Sequence, residues 1–235
     1  MVLAGVLAVR CVELFFAVTW LIGFVLVWRT TRRTFLVGLY LGATLSFTHD
    51  WLYAGPAMWN MTFAPHTILL GTWAGRREAL WAPLSYGSFF GIFAFLWLKY
   101  LEEPLSRRLG AWRYVAVFPT IYLANLLVEG TLIQLTHANT YHLDSKWLIF
   151  NLPWLHLFTT GAMGAGLVWI AVQSMRVLEF AGWRELDPAD SPTDREIPRR
   201  VRVAIFSVGL AVPHVAFTAA AIVGLYLYAF LGVHP

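Results

Sequence analysis

The sequence predicts an all-α integral membrane protein, one transmembrane helical domain over 1–235 built as a bundle of about six transmembrane helices, or seven if one further segment crosses. Three observations carry this. Of the 235 residues 59% are hydrophobic and 13% charged, and the mean hydropathy of +0.63 is too high for a water-soluble domain. The charges sit in short polar breaks, separated by apolar runs of about the 20 residues that a membrane-crossing helix needs. The basic residues, nearly all Arg, gather in a few of those breaks.

Six runs are long enough to span: 3–28, 34–53, 81–100, 112–136, 148–175 and 202–231. The stretch 57–74 is apolar but short, and Asn60, Pro65 and His66 interrupt it. Charge placement decides against it. With six spans the basic loops 29–33, 101–113 and 176–202 fall on one side, leaving Arg76 and Arg77 opposite; with seven, Arg107, Arg108 and Arg113 face away from Arg29, Arg32 and Arg33. Segment 54–80 is therefore expected to be re-entrant or interfacial, its polar backbone buried in protein or lining a cavity. Both termini then lie outside, in what is expected to be a bacterial plasma membrane. No basic leader precedes the first run and no small-residue cleavage site follows it, so it reads as a retained helix.

The net charge of +4 belongs to membrane-flanking arginines, which excludes a nucleic-acid face and leaves the bilayer and a lipophilic small molecule as partners. The single cysteine, Cys11, lies in the first apolar run, so neither a disulfide framework nor a thiolate metal cluster is available.

Ionisable groups at bilayer depth cost about 2.5 kcal/mol or more each, so those present need a reason. Arg10 and Glu13 stand three apart in the first run, where they can neutralise one another. Asp50, flanked by His49 and Trp51, ends the second run with no cation nearby. Glu129 has Asn125 one turn before it, so both side chains share a face that must look into the bundle. Beyond that helix come Tyr141 and His142, then Pro153, Trp154 and His156. The topology puts Asp50, His66, Glu129, His142 and His156 in the outer half, roofed by 54–80, whose Trp59, Phe63 and Trp73, with Trp81, add aromatic faces. The candidate catalytic residues are Asp50, Glu129 and His156. The candidate substrate contacts are His49, Trp51, Trp59, Asn60, His66, Asn125, Tyr141, His142 and Trp154.

The seven histidines lack the short spacings of a histidine-box oxidase, although one metal ion held by scattered ligands stays open. No Gly-rich phosphate loop, HExxH, GxSxG or Asp-rich pyrophosphate motif occurs. What remains is a cofactor-free, aromatic-lined cavity holding carboxyl groups. That suits acid-initiated cyclisation of a lipophilic substrate, with ring faces stabilising a cation and water excluded.

The run 38–53 (GLYLGATLSFTHDWLY), in which an Asp closes an apolar helix eight residues after a Gly, looks like the second helix of the AveC-like membrane spirocyclase family. Asn125, Glu129, Gln134 and Tyr141 resemble that family's Asp-xxx-Glu helix, with its following basic residue and tyrosine-bearing loop. Pro153, Gly161, Gly164 and Gly166 resemble the Pro-led, glycine-rich helix that comes next. The resemblance covers about 30–175 in outline. Asn125 stands where the family has Asp, Gln134 where it has Arg, and His156 where a Glu is expected. The resemblance implies dehydrative closure of a dihydroxy-ketone polyketide into a spiroketal. Glu129 or Asp50 would be the acid, the other carboxyl or His156 the base, and Asn125 would orient Glu129. Two alternatives stand beside it: a transmembrane terpene cyclase protonating an epoxide or alkene, and a non-catalytic lipid-binding or accessory subunit.

Overall fold

A computed structural model of the chain describes residues 2–31, 34–49, 61–73, 76–181 and 198–233. Helices dominate. First come α1 (Val2–Thr31) and α2 (Thr34–Leu45), the latter prolonged by a 3-10 turn over Ser46–His49. A rod over 81–109 follows, in which α3 (Trp81–Tyr86), α4 (Ile92–Leu96) and α5 (Glu102–Leu109) are joined by two wide π-turns, Gly87–Gly91 and Trp97–Leu101. The last three helices are α6 (Arg113–Thr136), α7 (Trp154–Phe180) and α8 (Arg199–Leu231).

Among the described residues, four continuous stretches are long and apolar enough to cross a bilayer: Gly5–Arg29, Trp81–Leu132, Trp154–Phe180 and Arg199–Leu231. The 27 residues of α7 rise about 40 Å, more than the roughly 30 Å hydrocarbon core. The stretch from Trp81 covers 52 residues and turns at Gly110, whose φ of 54° and ψ of −130° are closed to a residue with a side chain. It therefore supplies two limbs. Arg113 locks that turn, with its guanidinium 2.8 Å from Glu102 and donating to the Gly110 carbonyl at 2.5 Å. The result is a mostly helical fold with the long apolar helices of a membrane-spanning bundle.

Lipid offers the helices no hydrophobic gain from meeting one another, so close backbone packing has to hold them. A Cβ on Gly42 would lie 2.3 Å from the Leu210 carbonyl oxygen, and one on Gly209 2.3 Å from that of Phe35. α2 and α8 thus cross backbone to backbone. Gly164 of α7 receives Ile121 of α6 in the same way, with 2.6 Å from its ideal Cβ to Ile121 Cγ1.

The sequence expectation of an all-α chain needs one correction, because one end of the bundle is roofed by strands. β1 (Met61–Phe63) pairs antiparallel with β4 (Asn139–Tyr141), in the register Met61 to Tyr141 and Phe63 to Asn139. β2 (Leu69–Trp73) pairs with β3 (Arg76–Ala79), and β5 (Leu148–Ile149) with β6 (Leu152–Pro153). Strand backbone over 61–63 and 69–73 is incompatible with a seventh helix there. The fifth helix starts at Trp154 and not at 148, because Phe150 and Asn151 take positive φ values of 51° and 63° in a tight hairpin loop. Pro153, which has no amide hydrogen to leave unpaired, then opens α7.

Candidate active site

The roof and the helices beneath it enclose a cavity of about 110 Å³. Its walls are aromatic: Phe16 from α1, Phe63 from β1, Trp81 and Tyr86 from α3, and Phe89 and Phe90 from the first π-turn. A π-turn adds a residue to the helical turn, and such bulges re-aim side chains where function requires it. One polar cluster interrupts these walls. It is formed by Asn125 and Glu129 of α6, Asn139 and Tyr141 of β4, and His156 and Thr160 of α7.

The local geometry of each element explains the gathering. Asn125 and Glu129, like His156 and Thr160, are four apart on a helix and share a face. In β4 the alternation of strand side chains turns Asn139 and Tyr141 inward and Thr140 out. The β4 turn is reached through His137, which ends α6 at a φ of 50°.

Glu129 is the centre of the cluster. Tyr141 donates its hydroxyl hydrogen to Glu129 Oε1 at 2.5 Å, and Asn139 Nδ2 donates to the same oxygen at 3.4 Å. His156 Nε2 lies 2.8 Å from Glu129 Oε2. Asn125 Nδ2 is 3.2 Å from His156 Nε2 and 3.5 Å from Thr160 Oγ1. With the amide set this way Nε2 accepts and the pair's proton sits on Glu129; with the amide turned over, Nε2–H donates to the carboxylate. Either arrangement leaves one transferable proton between carboxyl and imidazole.

Of the residues expected from the sequence, Asn125, Glu129, Tyr141 and His156 come together here. Asp50, Trp51, Trp59 and Asn60 lie outside the described residues. Four others are placed away from the cavity, each for a plain reason. His49 packs on α8, with Nε2 3.0 Å from Thr218 Oγ1 and its ring 5.3 Å from that of His214. His66 is exposed in a roof turn, and its carbonyl accepts from Arg10 at 3.0 Å. His142 follows the inward Tyr141 and so points out, 2.8 Å from Thr62 Oγ1. Trp154 is two residues before His156, on the far side of the helix, and stacks on Trp147 at 6.1 Å. The Arg10–Glu13 pair forms as its spacing predicts, and Glu13 Oε1 also accepts the Ile68 amide hydrogen at 2.7 Å. Together the two side chains fasten the 66–68 loop to α1.

Asn139, Thr160 and Met61 were not singled out in the sequence. A period-two reading of 139–141 would have found Asn139, and the i, i+4 relation to His156 would have found Thr160. Among the described residues, no group of three or more His, Cys, Asp or Glu side chains is arranged to hold a metal ion. The chain matches no protein-family model, no curated protein and no solved structure.

Proposed function

We propose that the protein is a membrane-embedded acid–base cyclase that needs no cofactor and closes a ring on a lipophilic precursor, with Glu129 and His156 as its proton-transfer pair. The observation that carries this reading is a carboxyl held between a phenol at 2.5 Å and an imidazole at 2.8 Å in the wall of an otherwise apolar cavity. Ionisable groups are kept at such depth for function more often than for stability.

The chemistry follows from the two distances. Glu129 gives its proton to a ketone oxygen while His156 takes one from the attacking hydroxyl, so a C–O bond forms and a hemiketal results. The carboxylate and imidazolium left behind are 2.8 Å apart, and a single proton hop restores the starting pair. For the dehydrative step the same acid protonates the hemiketal hydroxyl, water leaves, and a second hydroxyl captures the oxocarbenium ion with loss of its proton to His156. Tyr141 stabilises the carboxylate each time charge appears on it. This is the spiroketal chemistry that the AveC-like resemblance implies, performed one ring at a time.

The aromatic walls favour a second reading, protonation of an alkene or epoxide in a terpene precursor, because ring faces stabilise a carbocation. In either case we place the enzyme in a bacterial plasma membrane with six spans, the arginine-bearing loops inside and the strand roof outside. The test is conversion of a linear dihydroxy ketone, and in parallel of a linear polyprenyl epoxide, by the protein in vesicles. Glu129→Gln keeps the shape and removes the proton, so turnover should fall by roughly 10²–10⁴-fold. Undiminished conversion by a folded Glu129→Gln protein would remove Glu129 from the mechanism.

A further inference from the structure

We infer that the cavity opens sideways into the bilayer at Val128, and that its ligand is a single-chain amphiphile whose ring-sized polar head enters while its tail stays among the lipids. The inference deepens the acid–base reading and rests on it for the chemistry of the head alone.

Two stripes run along α6. Leu123, Leu127 and Leu135, 55%, 68% and 74% exposed, face outward on a helix of membrane-crossing hydropathy, so they meet lipid. Asn125, Glu129 and Leu132 line the cavity. Val128 belongs to both. It lines the cavity, and at 37% it is the one exposed residue among the described lining residues, the others being buried or half-buried. A cavity whose exposed rim residue lies on the lipid face has its mouth there.

Toward the roof, the described residues pack closely. Val12, Phe16 and Ala138 form an apolar cluster of their own, packed with Trp81, Leu84 and Leu132 and separate from the main core. Above it, the β1–β4 pairing and the Arg10–Glu13 clasp on the 66–68 loop hold the roof down. Phe16 and Phe89 line the same space as Val128, so a chain running through it meets apolar side chains.

Size fixes the ligand class. A cavity of about 150 Å³ holds a benzene molecule, so one of about 110 Å³ admits a group no larger than a single ring. A second ring formed there therefore has to lie in the mouth at Val128, and a fully polar ligand would leave six aromatic walls without partners. What fits is an oxygen-bearing head beside Glu129 with a saturated chain continuing past Val128.

The test uses full-length protein carrying Cys11→Ser in phosphatidylcholine vesicles. The probe is an alkylcyclohexanone with a long saturated chain and a diazirine midway along it. Irradiation should place adducts on α6 between Leu123 and Val128 or on Phe89, and Val128→Trp should lower the yield by about tenfold or more. Adducts on 62–65 or 140–151, no adduct at all, or a yield unaffected by Val128→Trp would overturn the inference. Because the Trp variant could fail to fold, a bimane on Val128→Cys supplies an independent readout. Quenching by nitroxide-chain lipid stronger than by aqueous iodide supports the lipid-side mouth, and the reverse refutes it. Glu129→Gln separates the two proposals: labelling kept with turnover lost supports both, whereas labelling and turnover both kept defeats the acid assignment and leaves the mouth standing.

Discussion

Replacing Tyr141 by Phe removes one hydroxyl and little else, which makes it the sharpest probe of the carboxyl's role. The phenol donates to Glu129 Oε1 at 2.5 Å, and its ring lies 5.7 Å from that of His156. The substituted ring would keep the contact with His156 and the strand register opposite Met61. A hydrogen bond to a charged group contributes about 1.5–3 kcal/mol, and each 1.4 kcal/mol is a factor of about ten, so the bare range is about 10- to 150-fold. Asn139 still donates to the same oxygen from 3.4 Å, which pulls the expectation to the low end, about 10- to 30-fold. The loss should fall on kcat. In the proposed mechanism, starting from the arrangement with the proton on Glu129, the bond strengthens as that proton is given up and negative charge develops on the carboxyl in the transition state. The assay is steady-state conversion of the linear dihydroxy ketone in vesicles, with extracted protein checked for monodispersity. A loss below about threefold, or one confined to KM, would refute the claim that charge develops on Glu129.

The remaining predictions concern the bundle that holds the site. Gly42→Ala and Gly209→Ala force a methyl into backbone carbonyls at 2.3 Å, so each should cost about 1–3 kcal/mol or more and lower the thermal midpoint in detergent. Gly166→Ala, whose Cβ would meet only the Ala216 methyl at 3.8 Å, is the matched neutral control. Arg113→Met strands the Glu102 carboxylate at the Gly110 turn and should cost about 3–5 kcal/mol; adding Glu102→Leu should restore most of it, as measured by the same melts. Leu105→Cys and Asp190→Cys in a Cys11→Ser background should both label from the cytoplasmic side. Labelling of position 105 from outside with 190 protected would break the six-span topology.

The helical part of this fold is legible in the sequence because lipid imposes a simple rule: about 20 apolar residues between polar breaks. The runs at 112–136 and 202–231 are observed at Arg113–Thr136 and Arg199–Leu231, within the few residues that charge placement leaves open. The strand roof was not legible. Segments of two to five residues carry too little periodicity to stand out, and their pairing, 61–63 with 139–141, joins positions far apart in sequence. The α2–α8 crossing was missed for a different reason. Gly38 and Gly42 were read as part of a family-like patch, while their use is the close approach of backbones, for which the partner Gly209 had to be found.

The site itself divides along the same line. Asn125 and Glu129 share a helix face by spacing alone, so the sequence brings them together. His156 was reached through Pro153, which opens α7 just where the imidazole is needed. Tyr141 could be nominated from its loop but not placed, because only the β1–β4 register turns it inward while turning His142 out. The roof therefore does more than cover the cavity. It supplies the phenol that binds the carboxyl at 2.5 Å, and the Arg10–Glu13 clasp fastens its 66–68 loop to α1. A charge pair that spacing alone presents as mere neutralisation is thus expected to act at a distance on the proposed proton chemistry. Glu13→Gln, which weakens the clasp without touching the cavity polar cluster, should lower turnover in the same direction as Tyr141→Phe. Combined with Tyr141→Phe it should add little further loss, since both act through one hydrogen bond. Strictly multiplicative losses in the double variant would show that the clasp and the phenol work independently.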